Sequence, residues 1–288
     1  MNSKLNKMNH LDGKFKGQKS LNIYYQAWIP DREIRAIILI SHGFAEHSGR
    51  YLNIVHELIP LAYAVYAIDH RGHGNSEGTI NYVESIDYYV EDLKKLFDII
   101  REQYPKIPIF ILGHSMGSGI AVNFTKKYES ELSGLILSGI GSLMGDEISG
   151  FLKFIVKSMS RIAPKMKINP KLDPSTLSHD PEVVKAYIDD PLVHHTLITA
   201  RLAYEMLKLF SNIGSLIKSF KLPSLVQRGA EDVAISGFEQ IEADFSMEDK
   251  EIHIYEGLYH EVYNESKKDR TIVLNDLSNW LNNHIHSS

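Results

Sequence analysis

Four short, almost unbroken apolar runs constrain the fold of this chain more than any other feature: residues 34–40 (IRAIILI), 62–68 (AYAVYAI), 107–112 (IPIFIL) and 135–138 (LILS). A strand with one face in water alternates apolar and polar positions. A run that stays apolar needs cover on both faces, as in parallel strands between two layers of helix. Between the second and third runs, Ile86, Val90, Leu93, Leu96, Phe97 and Ile100 recur at helical spacing, and Pro105 ends the pattern. The alternation predicts an α/β fold, a mostly parallel central sheet flanked by helices. Ahead of it, residues 13–30 hold two β-like stretches, of which LNIYYQAWI is the clearer, and these read as an opening antiparallel pair.

From residue 143 to 219 the strand signal disappears. Amphipathic helical stretches at 151–162 and 196–210 take over, punctuated by Pro164, Pro170, Pro174, Pro181 and Pro191. Strand signals return at 223–227 and 251–255, and a helix ending near Trp280 follows. The expected organisation is therefore a core in two parts, 13–142 and 220–284, interrupted by a helical cap at 143–219. A net charge of −5 offers no basic surface to a nucleic-acid backbone, so a nucleic-acid partner is not expected. The absence of cysteine removes disulfides, thiolate metal sites and a cysteine nucleophile together. The first residues lack the pattern of a secretory signal, and no apolar run could span a bilayer. A cytoplasmic location is expected, with any membrane contact peripheral.

Gly113-His114-Ser115-Met116-Gly117 stands between a buried strand and a helical stretch, the context that turns G-x-S-x-G into a nucleophile elbow. A serine hydroxyl needs a base to take its proton and a third group to orient that base. An acid and a histidine each follow a late strand, at Asp232 and His260, and their chain order fits the elbow. Glu231 competes with Asp232 for the role of acid, and Asp232 is favoured. Ser41-His42-Gly43-Phe44 follows the first buried run, so the backbone N–H groups of Phe44 and Met116 are the candidate oxyanion donors. The segment from Asp69 to Gly78 (DHRGHGNSEG) is rich in histidine and glycine but matches neither a phosphate loop nor a metal motif. It is expected to be a hydrogen-bonded loop bracing the elbow from below, and no metal site is expected.

Four segments in order, HGFAEHSGRY (42–51), DHRGHGNSEG (69–78), GHSMGSG (113–119) and YEGLYHEVYNE (255–265), resemble the monoacylglycerol lipase and lysophospholipase branch of the α/β-hydrolases. The resemblance implies the α/β-hydrolase fold with a helical cap, the triad Ser115, Asp232 and His260, and oxyanion amides from Phe44 and Met116. It also implies a polar cluster of Glu46, His47 and Arg50 near the site, and these three are expected to contact the substrate. Residues 177–207 resemble that family's cap, which in relatives lines a channel for the acyl chain. Ile148, Phe151 and Ile155 on the first cap helix are accordingly candidate substrate contacts, and the same apolar surface is a candidate for membrane contact. The expected activity is hydrolysis of lipid-like carboxylic esters, monoacylglycerol or lysophospholipid, without a cofactor. A short-chain carboxylesterase and a non-catalytic ligand-binding scaffold are the alternatives.

Overall fold

The structure is a computed structural model that describes residues 8–142, 149–170, 172–195 and 197–285. A hairpin opens it: β1 (Met8–Lys16) runs antiparallel to β2 (Asn22–Pro30), Met8 opposite Pro30 and Lys16 opposite Asn22. β1 begins ahead of the expected residue 13: the first half of this edge strand is exposed, and its apolar residues Met8 and Leu11 do not alternate with period two. Next come β3 (Ala36–Ser41), α1 (Leu52–Leu58), β4 (Tyr63–Ile68), α2 (Asp87–Gln103), β5 (Ile109–His114), α3 (Met116–Tyr128) and β6 (Gly134–Ser138).

The region expected to be the cap holds α4 (Gly150–Ile162), β7 (Lys167–Ile168), α5 (Pro181–Asp189), β8 (Ile198–Thr199), α6 (Ala200–Ser211) and α7 (Ile213–Ile217). Its expected start, residue 143, lies outside the described residues. The antiparallel ribbon of β7 and β8 was not expected there, since two-residue strands are too short to show a period. Side chains of Ser149, Asp180 and Thr199 accept hydrogen bonds from the first turns of α4, α5 and α6. β9 (Ser224–Gly229), α8 (Phe238–Glu242), β10 (Lys250–Tyr255) and α9 (Lys267–His284) complete the chain.

The eight-stranded sheet has the order β1-β2-β4-β3-β5-β6-β9-β10, and every pairing beyond the antiparallel β2–β4 contact is parallel. The buried runs divide their side chains with period two. Ile37, Leu39, Ile109 and Ile111 join the layer of α2 and α3, whereas Ile38, Ile40, Phe110 and Leu112 join that of α1 and α9. After β3 the chain moves outward to β4 and then returns to the other side of β3 as β5. Such a reversal leaves a crevice at the carboxyl ends of β3 and β5, the usual binding place in an open α/β sheet.

At that crevice α3 crosses the end of β3 with little clearance. A β-carbon on Gly117 would collide with the carbonyls of Ser41 and His42, and one on Gly113 would lie 2.7 Å from the Cα of Ser118. Gly117→Ala must therefore push α3 off β3. Overpacking of this kind costs about 1–3 kcal/mol, so the variant should unfold at a clearly lower urea midpoint with an unchanged slope. A midpoint equal to wild type would contradict the tight crossing.

Candidate active site

Ser115 joins β5 to α3 with φ 53 and ψ −121, a left-handed conformation that a non-glycine residue holds only under constraint. The constraint is visible in its hydrogen bonds. Its N–H donates to the Ser138 carbonyl at 2.9 Å, and its own carbonyl accepts from the Ser118 N–H at 2.8 Å and the Ser118 hydroxyl at 2.6 Å. Met116 begins α3, so its N–H has no partner within the helix and sits at the positive end of the helix dipole.

Asp232 follows β9 and His260 follows β10, and both are buried. His260 Nδ1–H donates to Asp232 Oδ2 at 2.8 Å, while Asp232 Oδ1 accepts from the N–H groups of Ala234 (3.0 Å) and Ile235 (3.3 Å). Glu231, the competing acid, is exposed to solvent. Burial disfavours charge on both members of the pair, yet their attraction and hydrogen bond outweigh it: His260 is raised above its ordinary 6.5 and Asp232 lies below its ordinary 3.8. Ser115 and His260 face one cavity. Among the described hydrogen bonds none joins them directly, and in such sites that contact commonly tightens only when substrate binds.

The cavity has a volume of about 430 Å³. One end is polar, formed by Ser115, His114, His260, Glu46 and Glu261 together with Gly43 and Phe44. The rest is apolar and draws on the α4–α6 region, with Leu152, Val156, Ile168, Leu177, Ile198, Met206 and Phe210 among its walls. Of the expected contacts on the first cap helix, Phe151 is 74% exposed and Ile155 does not line the cavity; Leu152 and Val156 take their place. The apolar pattern is broad enough to leave the helix phase open, and the packing of α4 on α6 selects the face. Ile148 lies outside the described residues.

Glu46, His47 and Arg50 do cluster, but His47 and Arg50 do not line the cavity, which corrects their expected role as substrate contacts. Arg50 makes a two-pronged ion pair with Glu261 (2.6 and 2.8 Å) and reaches Glu46 at 3.2 Å, and its guanidinium lies 4.6 Å from the ring centroid of Tyr187 in α5. His47 Nε2 pairs with Asp190 Oδ2 at 2.9 Å. These two residues thus tie the turn after β3 to the α5 segment. Burial opposes the charge on Glu261, but Arg50 prevails and holds its carboxyl down at about 2. Burial, reinforced by the charge on His260, lowers His114 to about 4 and keeps it neutral.

The loop from Asp69 to Gly78 braces the end of β3 rather than the elbow. His70 Nε2 is 2.8 Å from Ser41 Oγ, and the His70 N–H donates to His42 Nε2 at 2.9 Å. Glu261 and His114 were missed as site residues although each adjoins an expected one. Their signal lies in the sequence as a carboxylate next to His260 and an imidazole next to Ser115.

A protein-family model described as serine aminopeptidase, S33 (Hydrolase_4) matches residues 32–267. The chain belongs to this family. Within it, the chain is 34% identical over 273 residues to a monoacylglycerol lipase of Mycolicibacterium smegmatis, covering 94% of this chain and 96% of the relative. It is 30% identical over 266 residues to the monoglyceride lipase of Mus musculus, with 91% and 88% covered. The crystal structure of a monoacylglycerol lipase from Paleococcus ferrophilus superposes with a TM-score of 0.78 at 26% identity, covering 96% of this chain and all of that one. The expected α/β-hydrolase fold and the resemblance to monoacylglycerol lipases are borne out.

In this S33-family chain the raised His260 gives its interaction a defined pH window. Its contribution to stability is complete below pH 6.5 and fades as pH rises through the folded value, while that of the depressed Asp232 is complete above 3.8 and fades as pH falls. An NMR titration should place the His260 midpoint above 6.5, and in Asp232→Asn burial should bring it down. An unmoved midpoint would show that Asp232 is not the group that holds the proton on His260.

Proposed function

We propose that this chain is a serine hydrolase that releases the fatty acid of monoacylglycerol-like esters through an acyl-enzyme on Ser115. The observation that carries the reading is the cavity itself: Ser115 and the His260–Asp232 pair stand at its polar end, and an apolar wall suited to an acyl chain makes up the rest. Ser115 Oγ attacks the ester carbonyl while His260 Nε2 takes its proton. Asp232 holds the ring in the Nδ1–H form and stabilises the imidazolium. The N–H groups of Phe44 and Met116 receive the oxyanion, and His260 then protonates the departing alcohol. Water, activated by the same histidine, releases the acid. The monoacylglycerol and monoglyceride lipases among the relatives support the ester class.

The charge at the polar end favours a neutral alcohol. Glu46 and Glu261 both face the cavity, and Arg50, the cation that answers them, is already held by both. A phosphate placed there would meet carboxylates without a free cation, whereas glycerol hydroxyls can donate to them. Ser115→Ala should lower kcat on the order of 10⁶-fold. With matched acyl chains, monoacylglycerol should be hydrolysed faster than lysophosphatidate. Faster release of fatty acid from lysophosphatidate would overturn the head-group reading, and full activity in Ser115→Ala would overturn the mechanism.

A peripheral membrane contact through α4 completes the proposal. None of the described helices is long and apolar enough to cross a membrane. Phe151, Phe154 and Ile162 are nonetheless 74%, 65% and 85% exposed, and Lys153, Lys157 and Arg161 lie on the same helix. Exposed aromatics mixed with basic residues suit the interface of an anionic bilayer. The double variant Phe151→Asp/Phe154→Asp should bind phosphatidylglycerol vesicles more weakly and slow hydrolysis of bilayer-borne monoacylglycerol, with soluble p-nitrophenyl butyrate turned over as before. Equal loss on both substrates would argue against a membrane role.

A further inference from the structure

β10 ends at Tyr255, and the chain leaves the sheet through Glu256 and Gly257, both exposed, the latter with φ 71. His260 therefore stands on a loop. Its bond to Asp232 holds one ring atom and does not by itself fix the backbone beneath the ring. The residues on either side of it are each held by a bond that the triad chemistry does not use. The Glu261 N–H donates to the Leu177 carbonyl at 2.8 Å, and the Tyr259 N–H donates to Glu265 Oε1 at 2.8 Å. Leu177 belongs to the short segment ahead of α5, and Glu265 leads to the same segment.

Glu265 is 1% exposed. Besides the Tyr259 N–H, its Oε1 meets His179 Nδ1 at 3.1 Å, while Oε2 accepts from the His179 N–H at 2.8 Å and the Ser178 hydroxyl at 3.2 Å. A carboxylate can only accept, so His179 carries a proton on Nδ1, and the roughly four acceptor sites of the group are all used. The surrounding contacts agree. The rings of His179 and Tyr259 stack with centroids 3.5 Å apart, and the Ser178 hydroxyl also lies 3.0 Å from the Asn264 carbonyl. Arg270 in α9 donates to the Glu265 carbonyl at 2.8 Å, which anchors the carboxylate in the core.

We propose that Glu265 is a positioning residue for His260: its carboxylate binds the backbone ahead of the histidine to the segment Leu177–His179, so that His260 keeps its place beside Ser115 only while that segment is seated. This rests on the reading of His260 as the general base. Leu177 lines the cavity and takes the other tie, from Glu261. A substrate that fills the cavity therefore touches the segment from which His260 is hung, and binding steadies the base. Glu265 itself does not line the cavity and acts through the loop alone.

Two measurements test the proposal. The first is amide hydrogen exchange of the wild-type full-length chain. Tyr259 and His179 donate to one carboxylate, so their N–H groups should be equally protected and open together. A Tyr259 amide that exchanges freely while that of His179 is protected would overturn the clamp without any variant having to fold. The second is steady-state kinetics on p-nitrophenyl butyrate. In Glu265→Gln one oxygen becomes an NH2 group, and in either orientation it faces a backbone N–H, that of Tyr259 or that of His179. A displacement of about 1 Å at the reacting groups can cost about 100-fold, so kcat should fall by that factor with KM unchanged. In a His260→Ala background the same substitution should lower kcat no further, because groups that act as a unit are not additive. Equal fold losses in both backgrounds would mark a general structural role, and wild-type kcat in Glu265→Gln would mark none; either result overturns the positioning role. Wild-type kcat in His260→Ala alone would instead overturn the reading of His260 as base, and hydrogen exchange would still report the clamp.

Discussion

Where α3 crosses the end of β3, backbone meets backbone with no space for a β-carbon at Gly117. That contact fixes the distance between two turns that would otherwise be independent, the elbow at Ser115 and the turn at Gly43 and Phe44, the proposed source of an oxyanion donor. It also accounts for the strained torsion of Ser115. A conformation of this kind costs about 1–3 kcal/mol, and the hydrogen bonds from Ser115 to Ser138 and Ser118 hold it in place. The sheet order serves the same end, since β3 and β5 are neighbours on either side of the chain reversal.

A second constraint is electrical. Arg50, Glu46 and Glu261 are almost wholly withdrawn from water near His260. Such a group is stable only as a set, because removing one partner from a buried pair costs about 3–5 kcal/mol. Tyr51 O–H and the Gly43 N–H both donate to Glu46 Oε1, and Asn264 donates to Glu261, so the carboxylates are satisfied from several sides. Their charge has a reach beyond the pair. Glu261 and Glu46 add to Asp232 in raising His260. The carboxylates that hold Arg50 therefore also raise His260.

The sequence announces the sheet because strands buried on both faces cannot hide their apolar runs. It announces the elbow because the close approach at Gly113 and Gly117 forbids other residues there. Asp232 stood apart from Glu231 only weakly in the sequence. The two adjoin on one turn, and which faces inward depends on how β9 and β10 place their loops. The early start of the edge strand β1 and the ribbon of β7 and β8 leave no pattern in the sequence, the first because Met8 and Leu11 do not alternate with period two and the second because of its length. Helix phase set a similar limit in α4, where Phe151 and Leu152 are neighbours in sequence and opposites in role. Arg50 and His47 were drawn to the site by resemblance. Their distance from the cavity wall depends on the positions of Tyr187 and Asp190, which local patterning cannot supply.

The roof of the cavity is held unevenly. The segment around α5 is tied to the core at Leu177, Ser178, His179, Tyr187, Asp190 and His194, through backbone bonds as well as side chains. α4 leans chiefly on α6. Lifting the α5 segment would admit water to Arg50 and its carboxylates and raise the local dielectric around His260, whereas displacing α4 would open the apolar wall and leave that electrostatic setting intact. The roof thus separates two tasks. One panel shields the buried charges beside His260, and the other shapes the apolar wall.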